Sequence, residues 1–132
     1  MSGNLILVAD DDRALSALLT TFLTNQGFEV KVTFDALQTW MVALRTRPAA
    51  ILLDIKMPGG TGLDVLKKLK GSTKTNSIPV IAISAIHDPK LPTKTKSLGA
   101  EEFMAKPLEL PDVYQVLCRL LGITPAPSPP TV

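Results

Sequence analysis

The run AAILLD, residues 49–54, is apolar at every position until its last. A strand with one wet face alternates apolar and polar side chains. A continuous run is what a parallel sheet demands when helices cover both of its faces. The final residue is an acid, Asp54, standing where a buried strand would emerge.

Working outward, the same pattern recurs on both sides. Residues 5–8 read as a first buried strand. Leu15, Leu18, Leu19, Phe22 and Leu23 then fall at i, i+3, i+4, i+7 and i+8, the stripe of an amphipathic helix. Asn25-Gln26-Gly27 ends it, with Gly27 suited to a left-handed cap. Residues 28–33 form a second strand. Leu37, Trp40, Met41 and Leu44 mark a second helix, closed before Pro48. Beyond Asp54, the loop IKMPGGTG (55–62) leads into a short helix carrying Leu63, Leu66 and Leu69. IPVIAIS (78–84) is a fourth strand, with Pro79 tolerable only near its start. Between Asp88 and Leu98, Pro89 and Pro92 make a weak helix that starts late. EEFMA (101–105) is a fifth strand. Leu110, Val113, Val116, Leu117, Leu120 and Leu121 make the last helix, which Gly122 closes.

Five βα units in strict alternation define an α/β fold, a doubly wound five-stranded parallel sheet with right-handed crossovers. Residues 1–122 read as one domain. Residues 123–132 read as a Pro-rich tail or truncated linker, since four of the last nine residues are proline.

Composition narrows the partners. At 132 residues the chain can bury a core without staples, and 45% hydrophobic with 20% charged residues is ordinary for a soluble domain. A net charge of +2 is too small to argue for nucleic acid or an anionic membrane. Aromatic residues for base stacking are few. Cys118 is the only cysteine, so no intramolecular disulfide can form, and a reducing, cytoplasmic setting is expected. No apolar run approaches the roughly 18 residues of a membrane span, and no leader precedes the first strand.

In open parallel sheets, sites form outside the carboxyl ends of strands, at the point where strand order reverses. Asp10 and Asp11 follow the first strand, Asp54 ends the third, Ser84 the fourth, and Lys106-Pro107 the fifth. Carboxylates converging in one crevice repel one another and gain raised pKa values unless a cation joins them. A hard divalent ion, Mg²⁺ or Mn²⁺, suits oxygen ligands of this kind. That ion and the Lys106 ammonium would leave the pocket near neutral, able to stabilise a transferring phosphoryl group. Asp54 is the best nucleophile, Ser84 a donor to a phosphoryl oxygen and Lys106 its ion partner. Gly59, Gly60 and Gly62 allow tight turns beside the site.

LILVADDD (5–12), LLDIKMPGGTG (52–62), VIAISA (80–85) and EEFMAKPL (101–108), in this order at strand ends, resemble the receiver domain of two-component response regulators. The resemblance spans residues 4 to about 121. It implies a flavodoxin-like sheet of order 2-1-3-4-5 with five helices. It also implies a phosphoprotein that accepts its phosphoryl group on Asp54 from a histidine kinase or a histidine phosphotransfer protein. Such a domain is a signalling switch that assists its own Mg-dependent phosphorylation and dephosphorylation, rather than an enzyme. By the same resemblance Asp11 is a direct metal ligand, Asp10 acts mainly through water, and the main-chain carbonyl of Lys56 is a further ligand. Ser84 is the switch hydroxyl, Phe103 the aromatic that follows it, and Lys106 the phosphoryl-sensing lysine. The peptide before Pro107 is cis. The output is an unknown domain or protein, reached through the fourth helix, fifth strand and fifth helix. The chain is a monomer or weak dimer and does not itself bind nucleic acid.

Lys56 and Ile86, two residues after Asp54 and Ser84, depart from the commonest pattern and are candidate kinetic modulators. Other features have plain structural readings. Asp12 caps the first helix. His87 is a surface-loop residue, while Cys118 and Trp40 are packing residues. Lys67, Lys68, Lys70 and Lys74, with Lys90, Lys94 and Lys96, are solvated faces. Two alternatives stand beside the switch: a pseudo-receiver that only docks partners, and a Mg-dependent phosphatase. The phosphatase would want a second aspartate where Lys56 stands.

Overall fold

The computed structural model describes residues 4–57 and 60–125. The expected turn at Gly59, and the Pro-rich stretch beyond residue 125, lie outside the described residues. The elements run β1 (Leu5–Ala9), α1 (Arg13–Asn25), β2 (Glu29–Thr33), α2 (Ala36–Thr46) and β3 (Ala50–Asp54). A two-stranded hairpin follows, β4 (Lys56–Met57) and β5 (Gly60–Thr61), then α3 (Gly62–Gly71), β6 (Val80–Ser84), α4 (Leu91–Ser97), β7 (Glu102–Ala105) and α5 (Leu110–Leu121). The main sheet is parallel, in the order β2-β1-β3-β6-β7. Counting only its own strands, that is 2-1-3-4-5 with five helices: the alternating pattern predicts the parallel sheet, and the family resemblance implies its order.

The unbroken apolar runs are explained by where each side chain goes. Successive residues of a strand point to opposite faces. Leu7, Ile51, Leu53, Val80 and Ala82 enter the half-core that includes Ala43 of α2 and Leu66 and Leu69 of α3. Ile6, Val8, Leu52, Ile81 and Ile83 enter the other, beneath Leu19 and Leu23 of α1 and Val113 and Leu117 of α5. Cys118 is buried in this second half-core, as its place between Leu117 and Leu121 predicts.

Helix ends follow their local chemistry. Asp12 caps α1 by accepting the Leu15 N–H at 3.0 Å. Thr61 caps α3 by accepting from Asp64 at 3.2 Å. Gly122, at φ 68°, closes α5 in the left-handed conformation that a residue without Cβ adopts cheaply. The α4 helix begins at Leu91 with Pro92 in its first turn, the late start its prolines predict.

Both leading helical stripes are rotated from the sequence expectation. In α1 the buried residues are Ser16, Leu19 and Leu23, and Leu18 is 59% exposed. In α2 they are Ala36, Thr39 and Ala43, while Leu37 and Met41 lie 64% and 52% exposed. Trp40 is half-buried at the margin of the core rather than inside it. Lys70 departs from the solvated face expected of it. Its ammonium donates to the Ile78 carbonyl at 2.9 Å and pairs with Glu101 at 2.9 Å, tying α3 to the segments that lead into β6 and β7.

Candidate functional site

The strand order reverses between β1 and β3, so their carboxyl ends open a crevice, and the acids stand there. Asp10 directly follows β1. Its N–H donates to the Thr33 carbonyl of β2 at 3.1 Å, and its own carbonyl accepts the buried Ser16 hydroxyl at 3.3 Å. Carboxylate Oδ1 accepts the Asp12 N–H at 2.9 Å, which closes a tight turn and points the group inward. Asp54 ends β3, with Oδ1 accepting the Lys56 N–H at 2.9 Å. Asp10 and Asp54 are both buried, whereas Asp11 is exposed at the mouth.

Lys106 enters from the end of β7. Its N–H donates to the Ser84 carbonyl at 2.8 Å, and a cis peptide joins it to Pro107. The ammonium lies 2.9 Å from Asp10 Oδ2 and donates to Asp54 Oδ2 at 3.2 Å. One cation thus bridges two buried carboxylates, and the charges do not balance. Asp10 Oδ2 has no aligned hydrogen-bond donor despite the nearby ammonium. Burial, reinforced by the Asp10 charge, pushes the Asp54 carboxyl from 3.8 up to about 6, against the opposing pull of the Lys56 N–H and Lys106. Burial also works against the charge on Lys106, but the two carboxylates outweigh it and hold its pKa above the ordinary lysine value.

Asp10, Asp11 and Asp54 each offer a carboxylate oxygen, and these atoms lie within 4.8 Å of one another. Two buried carboxylates that share a single ammonium, a raised carboxyl pKa and an all-oxygen donor set fit a hard divalent cation.

The remaining residues singled out in the sequence lie on the neighbouring strand ends and the loops that follow them. Ser84 is buried at the end of β6, where its hydroxyl oxygen accepts the Ile86 N–H at 3.0 Å, so the hydroxyl proton stays free for another acceptor. Phe103 is half-buried on β7 and lines a surface cavity with Ile86, His87 and Pro92. Ile86, His87 and Lys56 are exposed. Sequence reasoning passed over two contributors. Ser16 reads as a polar interruption in a helical stripe, yet it holds the Asp10 backbone. Thr61 caps the helix that abuts Asp54, and the spacing of Thr61 and Asp64 was its available signal.

Residues 6–117 match the family model of the response regulator receiver domain, and the chain belongs to that family. It is 38% identical over 119 residues to the response regulator PleD of Caulobacter vibrioides, covering 90% of this chain and 26% of that protein. It is 28% identical over 123 residues to sporulation initiation phosphotransferase F of Bacillus subtilis, covering 93% of this chain and 98% of that one. The receiver domain of sensor histidine kinase PA1611 from Pseudomonas aeruginosa superposes with a TM-score of 0.83 at 24% identity, covering 91% of this chain and 98% of that one. That structure holds a magnesium ion in its active-site cleft. The chain therefore spans about a quarter of the length of PleD and nearly all of the sporulation protein. Among the described residues, no helix is long and apolar enough to cross a membrane.

Proposed function

We propose that this domain accepts a phosphoryl group on Asp54 from the phosphohistidine of a partner kinase or phosphotransfer protein. The observation that carries the reading is the Lys106 ammonium set between Asp10 and Asp54 in a crevice with an unmet demand for positive charge. One Asp54 oxygen attacks phosphorus in line, the phosphorus–nitrogen bond breaks, and the leaving imidazole takes up a proton. A divalent cation held by Asp10, Asp11, Asp54 and the Lys56 carbonyl would neutralise the oxygens of the transferring group. Lys106 pairs with one phosphoryl oxygen, and Ser84 turns its free hydroxyl proton toward another. Movement of Ser84 frees space beside Ile86, into which Phe103 swings, altering the face of α4, β7 and α5 for an output partner.

The test is intact mass after incubation with Mg²⁺ and acetyl phosphate. One added phosphoryl group is expected, absent with chelator and in Asp54→Asn. A folded, Mg²⁺-binding protein that gains no mass from acetyl phosphate or from a phosphorylated histidine donor would instead be a docking module. Lys56 in place of a second aspartate disfavours the phosphatase reading.

Hydrolysis returns the switch to rest, and its rate depends on how a water is positioned. Lys56 is exposed two residues after Asp54, where its ammonium would hinder an approaching water, and apolar Ile86 offers no group to orient that water. The phosphorylated state is accordingly expected to last minutes or more rather than seconds. Lys56→Asn combined with Ile86→Glu should shorten it, read as loss of the added mass with time. An unchanged lifetime would remove both residues from the account.

A further inference from the structure

Ser16 lies on the buried face of α1 with Leu19 and Leu23, and it is only 2% exposed. A hydroxyl inside a helix ordinarily bonds the carbonyl four residues back. Thr20, Thr39 and Thr46 all do so, donating to the carbonyls of Ser16, Asp35 and Val42 at 2.7, 2.8 and 2.7 Å. Ser16 departs from this habit. The carbonyl four residues before it, that of Asp12, accepts its N–H at 3.0 Å but not its hydroxyl, which reaches the Asp10 carbonyl at 3.3 Å.

That carbonyl belongs to the peptide joining Asp10 to Asp11. Asp10 is buried, and among the described residues no other donor reaches its carbonyl. The next peptide, between Asp11 and Asp12, is fixed as well, because its N–H donates to Asp10 Oδ1 at 2.9 Å. Asp11 therefore sits between two pinned peptide planes. Its own carboxylate is exposed and makes no hydrogen bond or ion pair among the described residues, so the backbone alone aims it. Of the three acids whose oxygens gather within 4.8 Å, Asp11 is the one whose aim depends on this turn.

We propose that Ser16 is a positioning residue for the cation site: by fixing the Asp10–Asp11 peptide, it holds the Asp11 carboxylate where a divalent ion would take it. The inference rests on the metal site of the function proposed above. With the peptide free to turn, Asp11 would have to be ordered at each binding event, and that lost entropy weakens affinity. Groups that orient metal ligands in this way contribute roughly 10- to 100-fold in affinity.

Calorimetric titration of the 132-residue chain with Mg²⁺ alone, without a phosphodonor, reads the site. Ser16→Ala is expected to raise the Mg²⁺ dissociation constant roughly tenfold. Ser16→Thr keeps the hydroxyl but adds a methyl group at a packed position, so it should melt below the parent yet bind Mg²⁺ much as the parent does. Thr20→Val removes a hydroxyl from the next turn of the same helix and should leave the affinity unchanged. A role in helix packing alone would make affinity follow melting temperature across the three variants, and that result would overturn the proposal. In the acetyl phosphate assay, raising Mg²⁺ should recover most of the Ser16→Ala defect, because the lesion lies in binding the ion. A defect that saturating Mg²⁺ leaves in place would also count against it. If the parent binds Mg²⁺ and Ser16→Ala binds it equally well, Ser16 has no part in the site and the site itself stands. A parent that binds no Mg²⁺ overturns both readings.

Discussion

Asp54→Asn is expected to raise the melting temperature of the metal-free protein by roughly 10 °C at pH 7.5, with the gain shrinking as pH falls from 6 toward 4. The cause is the cost of ionising Asp54 where it stands. Burial and the Asp10 charge lift its pKa from 3.8 to about 6 in the folded protein. Below the unfolded value both states carry the proton, and the folded state bears no penalty. As pH rises through about 6 the folded state must release a proton it holds more tightly than the unfolded chain does, and stability is lost. Above that window the penalty is on the order of 2–3 kcal/mol. Asparagine has no proton to lose and keeps an oxygen for the Lys56 N–H. The difference between the two melting curves is the quantity to read, because other groups bend both alike. Glu102, for example, is buried enough to resist ionisation, but the Phe103 N–H, Arg119 and Lys96 outweigh that and hold its pKa low. Its stabilising share is therefore present at neutral pH and is lost in acid, in parent and variant equally. Equal melting temperatures at pH 7.5 would mean that the crevice does not strain its own carboxylate.

The same penalty sets the response to metal. A divalent cation among Asp10, Asp11 and Asp54 removes the repulsion that asparagine removes by substitution. Saturating Mg²⁺ should therefore stabilise the parent more than Asp54→Asn and close most of the gap between them. Binding should also grow stronger as pH rises through about 6, because the ion displaces the Asp54 proton.

Much of this was legible in AAILLD and its neighbours. Continuous apolarity required two covered faces, and the structure divides those residues between two half-cores, Leu52 to one and Ile51 and Leu53 to the other. The crevice was legible because acids and a lysine occupied the ends of strands that a parallel sheet must bring together. The facing of α1 and α2 was not. Periodicity finds the most hydrophobic stripe, but a helix close to a sheet can bury its smallest residues instead, as α2 does with Ala36, Thr39 and Ala43. Lys70 was misread for a different reason. Its carboxylate partner, Glu101, lies 31 residues away, and only the folded chain brings that acid and the Ile78 carbonyl to it. The β4–β5 hairpin is only two residues a side, too short to leave a periodic signal.

Gly62→Ala should cost the protein about 3 kcal/mol or more, with a fall in melting temperature of roughly 10 °C or greater. The reason is not backbone freedom but distance. Gly62 opens α3, and its N–H donates to the Ile55 carbonyl at 2.7 Å, which presses the helix against the strand end that carries Asp54. A Cβ at Gly62 would collide with the Asp54 carbonyl oxygen and lie 2.5 Å from Ile55 Cα and 2.9 Å from its carbonyl carbon. These are all backbone atoms, so no side chain can rotate away. Either α3 withdraws and loses the Ile55 hydrogen bond, or Asp54 is pushed out of register with Asp10 and Lys106. Both outcomes also reduce phosphorylation by acetyl phosphate. Gly71, at the other end of the same helix, is the internal control: an added Cβ there meets nothing within 4 Å. Gly71→Ala should be neutral or stabilising by about 0.5–1 kcal/mol through the lower entropy of the unfolded chain. Thermal melts of both variants with their phosphorylation yields decide the matter. If Gly62→Ala melts with the parent and phosphorylates normally, α3 does not seat Asp54 by direct contact.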